Sequence, residues 1–378
     1  MPASVHHSLG NSAGSITETL YRHRESPGTG TPHGRSGNRP IARLLESAAV
    51  DAEALPRDFL WRGPGSPRFV HADFHSFEAA KRFDVVCYWI SHRAMGIPAA
   101  VRRVDHGVAS LNGKVVLVTG ATDGLGRALA TDLAHAGATV LVHGRDPGRI
   151  ADTVTQVKAA AVGGRVRAYQ ADLAELKQVG ELAERVLASE PRLDVLVNNA
   201  GIGTDVPGGA ARLESADGYE LRMAVNYLAG FALTRSLLPL LKSSAPSRIV
   251  NVSSLGQQAI DFDDVMLTRG YSGNRAYCQS KLAQILFTID LAEELDGTGV
   301  TVNALHPATY MPTKMVHSPI STIAEGTAAT MHLITGNDTG TGRFYNGLRQ
   351  ARPDPQAADA QARRQLRELS EQLTGLSA

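Results

Sequence analysis

The sequence predicts an α/β domain built on a doubly wound parallel sheet. From Lys114 onward, short runs rich in Val, Ile and Leu (KVVLVTG, ATVLVHG, RVRAYQAD, LDVLVNNAG, SRIVNVSS and VTVNALHP) alternate with segments of helical periodicity. Continuous apolar runs indicate strands buried on both faces, and their alternation with helices is typical of a parallel sheet that helices cover on both sides. A glycine-rich turn joins the first run to the first helical segment, which fits the same fold class.

The composition divides the chain into four parts. Residues 1–45 are rich in Gly, Ser, Pro, His and Arg and cannot bury enough apolar surface to offset the entropy of ordering, so they are predicted to be disordered, with a transit peptide as the alternative. Residues 46–110 form an N-terminal extension, and residues 111–350 carry the α/β domain. Residues 351–378 read as a polar helix that closes the chain.

The N-terminal extension contains one amphipathic pattern. Phe83, Val86, Cys87 and Ile90 follow the spacing i, i+3, i+4, i+7 after Ser76, a suitable N-cap. This pattern predicts a helix that packs on the main domain. The alternative is that it contacts a membrane surface or lines a substrate entrance.

The charge balance and the cysteine content exclude several classes of function. With 38 Lys and Arg against 37 Asp and Glu, the net charge of +1 gives no reason to expect a nucleic acid or an anionic membrane as partner, so a small-molecule ligand is expected. The two cysteines, Cys87 and Cys278, show no metal-binding spacing, and no metal site is predicted. No signal peptide and no run of about eighteen apolar residues is evident, so a cytoplasmic location without an integral membrane segment is expected.

The glycine-rich turn lies between a predicted strand and a predicted helix, in the pattern TGxxxGxG. Such glycines allow a tight turn and a close approach of backbone N–H groups to a pyrophosphate, which the N-terminus of the following helix also favours. The turn therefore predicts a dinucleotide site that includes Thr119, Gly120, Thr122, Asp123, Gly124, Leu125 and Gly126.

The end of the second strand indicates which dinucleotide binds. An acidic residue there would accept hydrogen bonds from the adenosine ribose, but this chain has Gly144 followed by Arg145. A guanidinium suits a 2'-phosphate, so NADP(H) is favoured. NAD(H) stays open, because Arg145 could be a solvated loop charge and the neighbouring Asp146 could weaken the preference.

Six motifs in order make the chain resemble the short-chain dehydrogenases/reductases. They are TGATDGLG at 119–126, AD at 171–172, NNAG at 198–201, VN at 225–226, NVSS at 251–254 and YCQSK at 277–281. The interval from Ser254 to Tyr277 and the stretch RAYCQSKLAQILFTIDLAEEL are similar to the branch of retinol dehydrogenases and WW-domain oxidoreductases and its bacterial relatives. This resemblance implies a Rossmann fold and an enzyme that acts on CH–OH or C=O groups with NAD(P).

The resemblance also assigns roles to individual residues. It implies that Asp172 and Leu173 meet the adenine, and that Asn199, Ala200 and Gly201 form the turn beneath the cofactor. The remaining cofactor contacts that it implies are Pro307, Thr309 and Thr313, although the chain has Pro307-Ala308 where many members have Pro-Gly. The implied catalytic tetrad is Asn226, Ser254, Tyr277 and Lys281.

In the reaction that this resemblance implies, Tyr277 is the acid/base and Ser254 binds the substrate oxygen. Tyr277 and Lys281 lie four apart and share one face of a helix, so the ammonium, with the oxidised nicotinamide, is expected to lower the phenol pKa. Lys281 would also contact the nicotinamide ribose, and Asn226 would hold a water in a proton relay. The loop LGQQAIDFDDVMLTRGYSGNR would form much of a pocket for a medium-sized, fairly apolar alcohol or carbonyl.

Other functions on the same fold stay open. One is a catalytically silent NADP(H) sensor or scaffold, although such proteins commonly lose the tyrosine or lysine, and another is reduction of a double bond. Epimerases and dehydratases carry TGxxGxxG, a spacing that the turn at 119–126 does not have. Hydrolases of this fold class carry a GxSxG elbow, which is absent around Ser253 and Ser254, so hydrolysis is not expected. The helix predicted to carry Tyr277 also has an apolar stripe, formed by Leu282, Ile285, Leu286 and Ile289. This stripe favours a homo-oligomer; the alternative is that it faces the sheet.

Overall fold

Eight strands form one sheet in the computed structural model, which describes residues 110–204, 211–313 and 318–376 together with two short strands near the N-terminus. The strands are β1 (Val115–Val118), β2 (Thr139–Gly144), β3 (Val166–Gln170), β4 (Val195–Asn198), β5 (Ser247–Val252), β6 (Val300–His306), β7 (Arg343–Asn346) and β8 (Arg349–Ala351).

The strand order places a crevice in the middle of the sheet. The order is β3-β2-β1-β4-β5-β6-β7-β8; the first seven strands are parallel and β8 is antiparallel to β7. From β1 the chain proceeds to β2 and β3 on one side of the sheet. It then crosses back to β4, next to β1, and continues to β8 on the other side. This reversal is the position at which open α/β sheets bind ligands, at the carboxyl ends of the strands. The predicted doubly wound α/β fold is confirmed.

Seven α-helices connect and flank these strands in the described part of the chain. They are α1 (Gly124–His135), α2 (Pro147–Ala160), α3 (Leu176–Ser189), α4 (Ala229–Ser243), α5 (Gly273–Glu294), α6 (Ile323–Thr335) and α7 (Ala360–Thr374). A π-helical turn, Met223–Leu228, leads directly into α4. Short polar side chains cap several N-termini, as expected for residues that replace missing backbone acceptors: Asp123, Asp146, Ser272 and Thr322.

Two hydrophobic clusters, one on each face of the sheet, form the core. One cluster includes Leu182 of α3, Phe231 of α4 and Leu286 of α5. The other includes Leu129 of α1 and Leu333 of α6. Because both faces are covered at the centre of the sheet, β1, β2 and β4 are largely apolar, which explains the Val and Leu runs in the sequence.

The apolar stripe on α5 belongs to this core. Leu282, Ile285 and Leu286 are fully buried, and Ile289 packs against the same cluster. The suggestion that the stripe is an interface between subunits is therefore wrong, because its side chains already contact the rest of the chain.

By length and composition alone, the helical stretch Met223–Ser243 could cross a membrane. No other helix within the described ranges is long and apolar enough to do so. Of its most apolar window, 72% is buried inside the domain. Such a core helix is weak evidence for a membrane span.

The chain divides into two compact units, Met1–Asp105 and His106–Ala378. In the first, the strands Ser4–His7 and Glu18–Tyr21 pair antiparallel. The rest of the segment predicted to be disordered and the helix predicted around Phe83 and Ile90 lie outside the described residues. In the second, the polar helix predicted near the C-terminus is α7.

Candidate active site

The glycine-rich turn and the NNAG segment form one structure at the carboxyl ends of β1 and β4. The Asn199 side chain donates to the carbonyl oxygens of Thr119 (2.8 Å) and Gly120 (3.3 Å), and Thr119 Oγ1 accepts from the backbone N–H groups of Asn199 (2.9 Å) and Ala200 (3.0 Å). A Cβ at position 126 would clash with the Gly120 carbonyl and lie 2.5 Å from Asn199 Nδ2, so only Gly126 fits here. The two predicted cofactor segments therefore hold each other in place.

A histidine that the sequence analysis missed completes this support. His143 Nδ1 accepts from the Gly120 N–H (3.2 Å), and its Nε2 lies 3.2 Å from the carbonyl oxygen of Ala171. These partners require a neutral ring with the proton on Nε2. Burial lowers the pKa of His143 to about 4, which keeps the ring neutral at physiological pH. A polar residue in an otherwise apolar strand run, one position before its end, is the signal that could have identified it.

The first turn of α1 carries both an acidic cap and a basic neighbour. Asp123 Oδ1 accepts from the Gly124 N–H (2.8 Å), while Arg149 Nη2 donates to Asp123 Oδ2 (2.7 Å) and to the Thr122 carbonyl (3.2 Å). Leu125 is buried and fixes the turn to the core. The Arg149 guanidinium thus offsets the carboxylate next to a helix N-terminus that suits phosphate groups.

The end of β2 packs closely against the glycine-rich turn. A Cβ on Gly144 would lie 2.5 Å from Thr122 Cγ2, so a larger side chain at this position requires Thr122 to move. Arg145 follows and is exposed. The Asp146 carboxylate caps α2 by accepting from the Arg149 N–H (2.8 Å), which gives it a structural role beside the two arginines.

The turn after β3 holds the residues expected to meet the adenine. Asp172 Oδ1 accepts from the Ala174 N–H (2.9 Å), and the Asp172 N–H donates to Gln178 Oε1 (2.8 Å). Leu173 is buried. Through Ala171 this turn contacts His143 and so lies on the same edge of the sheet as the glycine-rich turn.

Asn226 lies in the π-helical turn and connects two parts of the site. Its Oδ1 accepts from the Ile202 N–H (2.8 Å), and its Nδ2 donates to the Ile202 carbonyl (3.2 Å) and to Ser280 Oγ (2.9 Å). Ser280 lies in α5 between Tyr277 and Lys281. The amide thereby fixes the segment after Gly201 against α5, which carries Tyr277 and Lys281.

The structure distinguishes the two adjacent serines after β5. Ser253 Oγ donates to the carbonyl oxygen of Lys281 (2.7 Å), so its hydroxyl joins β5 to α5. Ser254 Oγ accepts from the Gly256 N–H (3.0 Å) and forms a hydrogen bond that lowers the pKa of Tyr277. Ser254 is therefore the serine that meets the phenol.

The Tyr277 phenol does not show the lowered pKa that the sequence predicted. Burial raises its pKa, and this effect exceeds the lowering by the Ser254 hydrogen bond. The Lys281 ammonium lies 5.8 Å from the ring centroid of Tyr277, and burial lowers the pKa of Lys281 itself to about 7. In the protein alone, removal of water from both groups thus opposes the tuning expected from their i, i+4 spacing.

Lys281 is fixed by two acceptors. Its Nζ donates to the carbonyl oxygen of Val252 (2.9 Å) and to Gln284 Oε1 (3.0 Å). Gln284 was not identified from the sequence. It follows Lys281 by three residues on α5, which is the spacing that places two helical side chains side by side.

The segment after β6 brings one of the two predicted threonines to the glycine-rich turn. A Cβ on Gly124 would lie 3.1 Å from Thr313 Cγ2, whereas Thr309 Oγ1 lies 3.0 Å from His306 Nε2. Burial lowers the pKa of His306 to about 4. Pro307 and Thr309 line a cavity of about 390 Å³ on this side of the sheet.

The long loop between β5 and α5 is fastened to the domain. Gln356 Oε1 accepts from the Ile260 N–H (2.6 Å), and Gln356 Nε2 donates to the Ile260 carbonyl (3.0 Å). Gln279 of α5 donates to the carbonyl of Ala259 (2.8 Å). The predicted substrate loop is thus held by α5 and by the segment before α7.

A buried charged cluster joins the end of this loop to the site. Arg222 donates to the carbonyls of Gly203 (2.8 Å) and Thr204 (2.6 Å) and to the Tyr271 hydroxyl (2.6 Å). The Tyr271 hydroxyl donates to Glu220 Oε1 (3.1 Å). Glu220 and Arg222 are fully buried, and they connect the loop after β4, the turn that carries Asn226 and the start of α5.

No group of three or more His, Cys, Asp or Glu side chains within the described residues could hold a metal ion. Cys278 is buried, and burial raises the pKa of its thiol. This environment suits a packing residue rather than a nucleophile.

The model of the short chain dehydrogenase family matches residues 114–323, more than half of the chain. Human retinol dehydrogenase 13 is 37% identical over 293 residues, which cover 71% of this chain and 87% of that protein. Human retinol dehydrogenase 14 is 36% identical over 322 residues, covering 76% and 94% respectively.

Solved structures agree with these relatives. A crystal structure of a protein from Mycobacterium paratuberculosis is 32% identical, with a TM-score of 0.61, and covers 72% of this chain and 97% of its own. The Pseudomonas aeruginosa RhlG/NADP active-site complex is 31% identical, with a TM-score of 0.53, and covers 64% and 97%. A short chain dehydrogenase from Shigella flexneri complexed with NADP is 28% identical, with a TM-score of 0.52, and covers 64% and 100%.

Proposed function

Because the chain belongs to the short-chain dehydrogenase family and is thus an oxidoreductase that acts on CH–OH groups with NAD(P), we propose that it is an NADP(H)-dependent enzyme that interconverts an alcohol and a carbonyl on a medium-sized, fairly apolar substrate. One observation carries this proposal. A Cβ on Gly256 would lie 3.5 Å from both Ser254 Oγ and Tyr277 Cε1, so the serine hydroxyl and the phenol ring are neighbours beside Lys281. Asn226 fixes the same helix at Ser280.

The residues support a direct division of labour. The nicotinamide cofactor, when bound, supplies or accepts the hydride. During reduction the Ser254 hydroxyl donates a hydrogen bond to the carbonyl oxygen of the substrate, and Tyr277 transfers its phenolic proton to the same oxygen as negative charge develops there. The Lys281 ammonium stabilises the resulting phenolate, and Asn226 holds a water that returns the proton. Oxidation uses the same groups in reverse.

The surroundings of the glycine-rich turn support NADP(H) over NAD(H). Gly144 provides no carboxylate to accept hydrogen bonds from the adenosine ribose, and its close packing on Thr122 disfavours a larger side chain there. Arg145 lies next along the chain, and Arg149 contacts the turn itself. Two guanidinium groups near the turn suit the additional phosphate of NADP.

An apolar substrate is supported by the side chains at the opening of the site. Leu255 follows Ser254 directly and is 47% exposed. Tyr310, in the segment after β6, is also exposed. Several similar proteins are named as retinol dehydrogenases, so long-chain apolar aldehydes are the first substrates to test. We also propose a cytoplasmic location, which the two cysteines, far apart in sequence as expected for a reducing compartment, support and which cell fractionation would test.

The test is consumption of NADPH with a panel of aldehydes and ketones that includes retinal, with NADH in parallel. Tyr277→Phe removes the proton donor and keeps the ring, so turnover should fall at least about a hundredfold. Tyr345→Phe is the matched control, because its hydroxyl bonds the Thr339 carbonyl in the sheet. Product analysis separates carbonyl from double-bond reduction. Tight NADPH binding without turnover of any compound would instead favour a sensor.

A further inference from the structure

The Lys281 ammonium occupies a buried site made entirely of neutral groups. Its side chain is only 5% exposed, and Nζ donates to the Val252 carbonyl (2.9 Å) and to Gln284 Oε1 (3.0 Å). Gln284 is equally buried, at 4% exposed. An ammonium has three N–H donors, so these two contacts leave one for a further acceptor on the cofactor side.

The groups that the neighbouring elements place around this ammonium are neutral. The turn after β4 contributes the backbone of Gly201, where a Cβ would lie 3.4 Å from Nζ. Strand β5 contributes the Val252 carbonyl, and α5 contributes the Tyr277 ring and the Gln284 amide. In the π-helical turn, Asn226 Oδ1 lies 3.3 Å from the same Cβ position on Gly201. Burial alone accounts for the lowered pKa of Lys281, and no carboxylate within the described residues opposes it.

Among the residues that the structure describes, Gln284 is the one side chain that accepts a hydrogen bond from the ammonium. The other acceptor, at Val252, is a backbone carbonyl whose position β5 determines. We propose that Gln284 is a positioning residue, whose amide oxygen directs the Lys281 ammonium toward the cofactor and sets the alkaline limit of activity. This inference rests on the proposed function, in which the ammonium stabilises the Tyr277 phenolate.

The physical argument gives opposite effects for two substitutions. Gln284→Leu removes an acceptor from a buried cation, which favours the neutral amine, so activity should be lost at a lower pH. Gln284→Glu has nearly the same shape and places a carboxylate against the cation, so activity should persist to a higher pH. A residue that only stabilised the fold would lower the rate at every pH and leave the limit in place.

The experiment measures kcat/KM against pH, from about pH 6 to about pH 10, for the wild type and three variants. The alkaline limb should move down by about one pH unit in Gln284→Leu and up by a similar amount in Gln284→Glu. Gln279→Leu is the matched control, since Gln279 is buried on the same helix and its contact is with Ala259. It should change the height of the profile and leave the limb unmoved.

A second measurement is independent of turnover. The dissociation constant of NADPH, from its fluorescence, should rise as the ammonium deprotonates, with the same opposite shifts in Gln284→Leu and Gln284→Glu. If these shifts occur in a protein that reduces no carbonyl, the positioning role stands and the proposed reaction fails. If the limb moves in neither variant, moves in the same direction in both, or moves equally in Gln279→Leu, the role of Gln284 is refuted.

Discussion

Removing the Tyr271 hydroxyl should destabilise the domain and slow the reaction together. This hydroxyl lies between two fully buried charged groups: it accepts from Arg222 Nη1 at 2.6 Å and donates to Glu220 Oε1 at 3.1 Å. Tyr271→Phe keeps the ring and deletes both contacts. Because the cluster joins the substrate loop to α5 and to the turn of Asn226, a loss here should also reach the site.

The magnitude follows from the charges involved. A hydrogen bond to a charged group contributes about 1.5–3 kcal/mol, and two are lost. The Arg222 Nη1 and Glu220 Oε1 atoms are only 3.7 Å apart and can move together, which recovers part of the loss. We therefore expect a decrease of about 2–3 kcal/mol in the free energy of unfolding, and a fall in Tm of about 4–12 °C for a domain of this size.

The assay compares urea and thermal unfolding of Tyr271→Phe with those of Tyr345→Phe. The control deletes one hydrogen bond to a neutral acceptor, the Thr339 carbonyl, and should lose only about 1 kcal/mol. At a temperature where both variants are folded, kcat should fall more in Tyr271→Phe. The reasoning is refuted if Tyr271→Phe is no less stable than Tyr345→Phe.

Two further predictions concern the cofactor end of the site. Arg149→Gln should weaken NADPH binding about tenfold and NADH binding by much less. The control is Arg165→Gln, because Arg165 is also exposed but precedes β3, at the edge of the sheet away from the glycine-rich turn, and this change should affect neither cofactor. Equal loss of binding for both cofactors in Arg149→Gln would contradict a role in phosphate selection. The pKa of His143 is about 4 in the folded protein and about 6.5 in the unfolded chain. Its contribution to the free energy of unfolding is therefore complete above pH 6.5. It is lost, by up to about 3 kcal/mol, as the pH falls toward 4 and the imidazole is protonated first in the unfolded chain. Urea titrations at both ends of this range should show a shallower pH dependence for His143→Asn, and an unchanged dependence would remove His143 as the cause.

The fold and the main site segments were predictable because they depend on local patterns. Apolar runs of strand length separated by helices specify a parallel sheet, and the carboxyl ends of its strands must meet at one edge. The glycine-rich turn and NNAG end two strands that the structure shows to be neighbours, β1 and β4. The contact between Asn199 and Gly120 is therefore a consequence of strand order.

The residues that were not predicted act through contacts distant in sequence or through burial. His143 bridges Gly120 and Ala171, which the chain separates widely, and Arg222 reaches Tyr271 across 49 positions. The raised pKa of Tyr277 in the protein alone could not be predicted, because a sequence shows the spacing of Lys281 but not the removal of water from both groups. The lowering expected with bound oxidised nicotinamide stays a prediction. The stripe on α5 was ambiguous for the same reason, since periodicity shows an apolar face and not its partner.

The support of the substrate loop extends beyond the part of the chain that the family model matches. That match ends at residue 323, yet Gln356 makes two hydrogen bonds to the backbone of Ile260 within the loop. The Asp354 N–H also donates to Gln257 Oε1 (2.7 Å), three residues after Ser254. Hydride transfer and cofactor binding thus depend on the matched core, while the shape of the pocket depends on a C-terminal segment packed against it. Differences in substrate among relatives should therefore follow the residues around Asp354 and Gln356 more closely than the catalytic motifs.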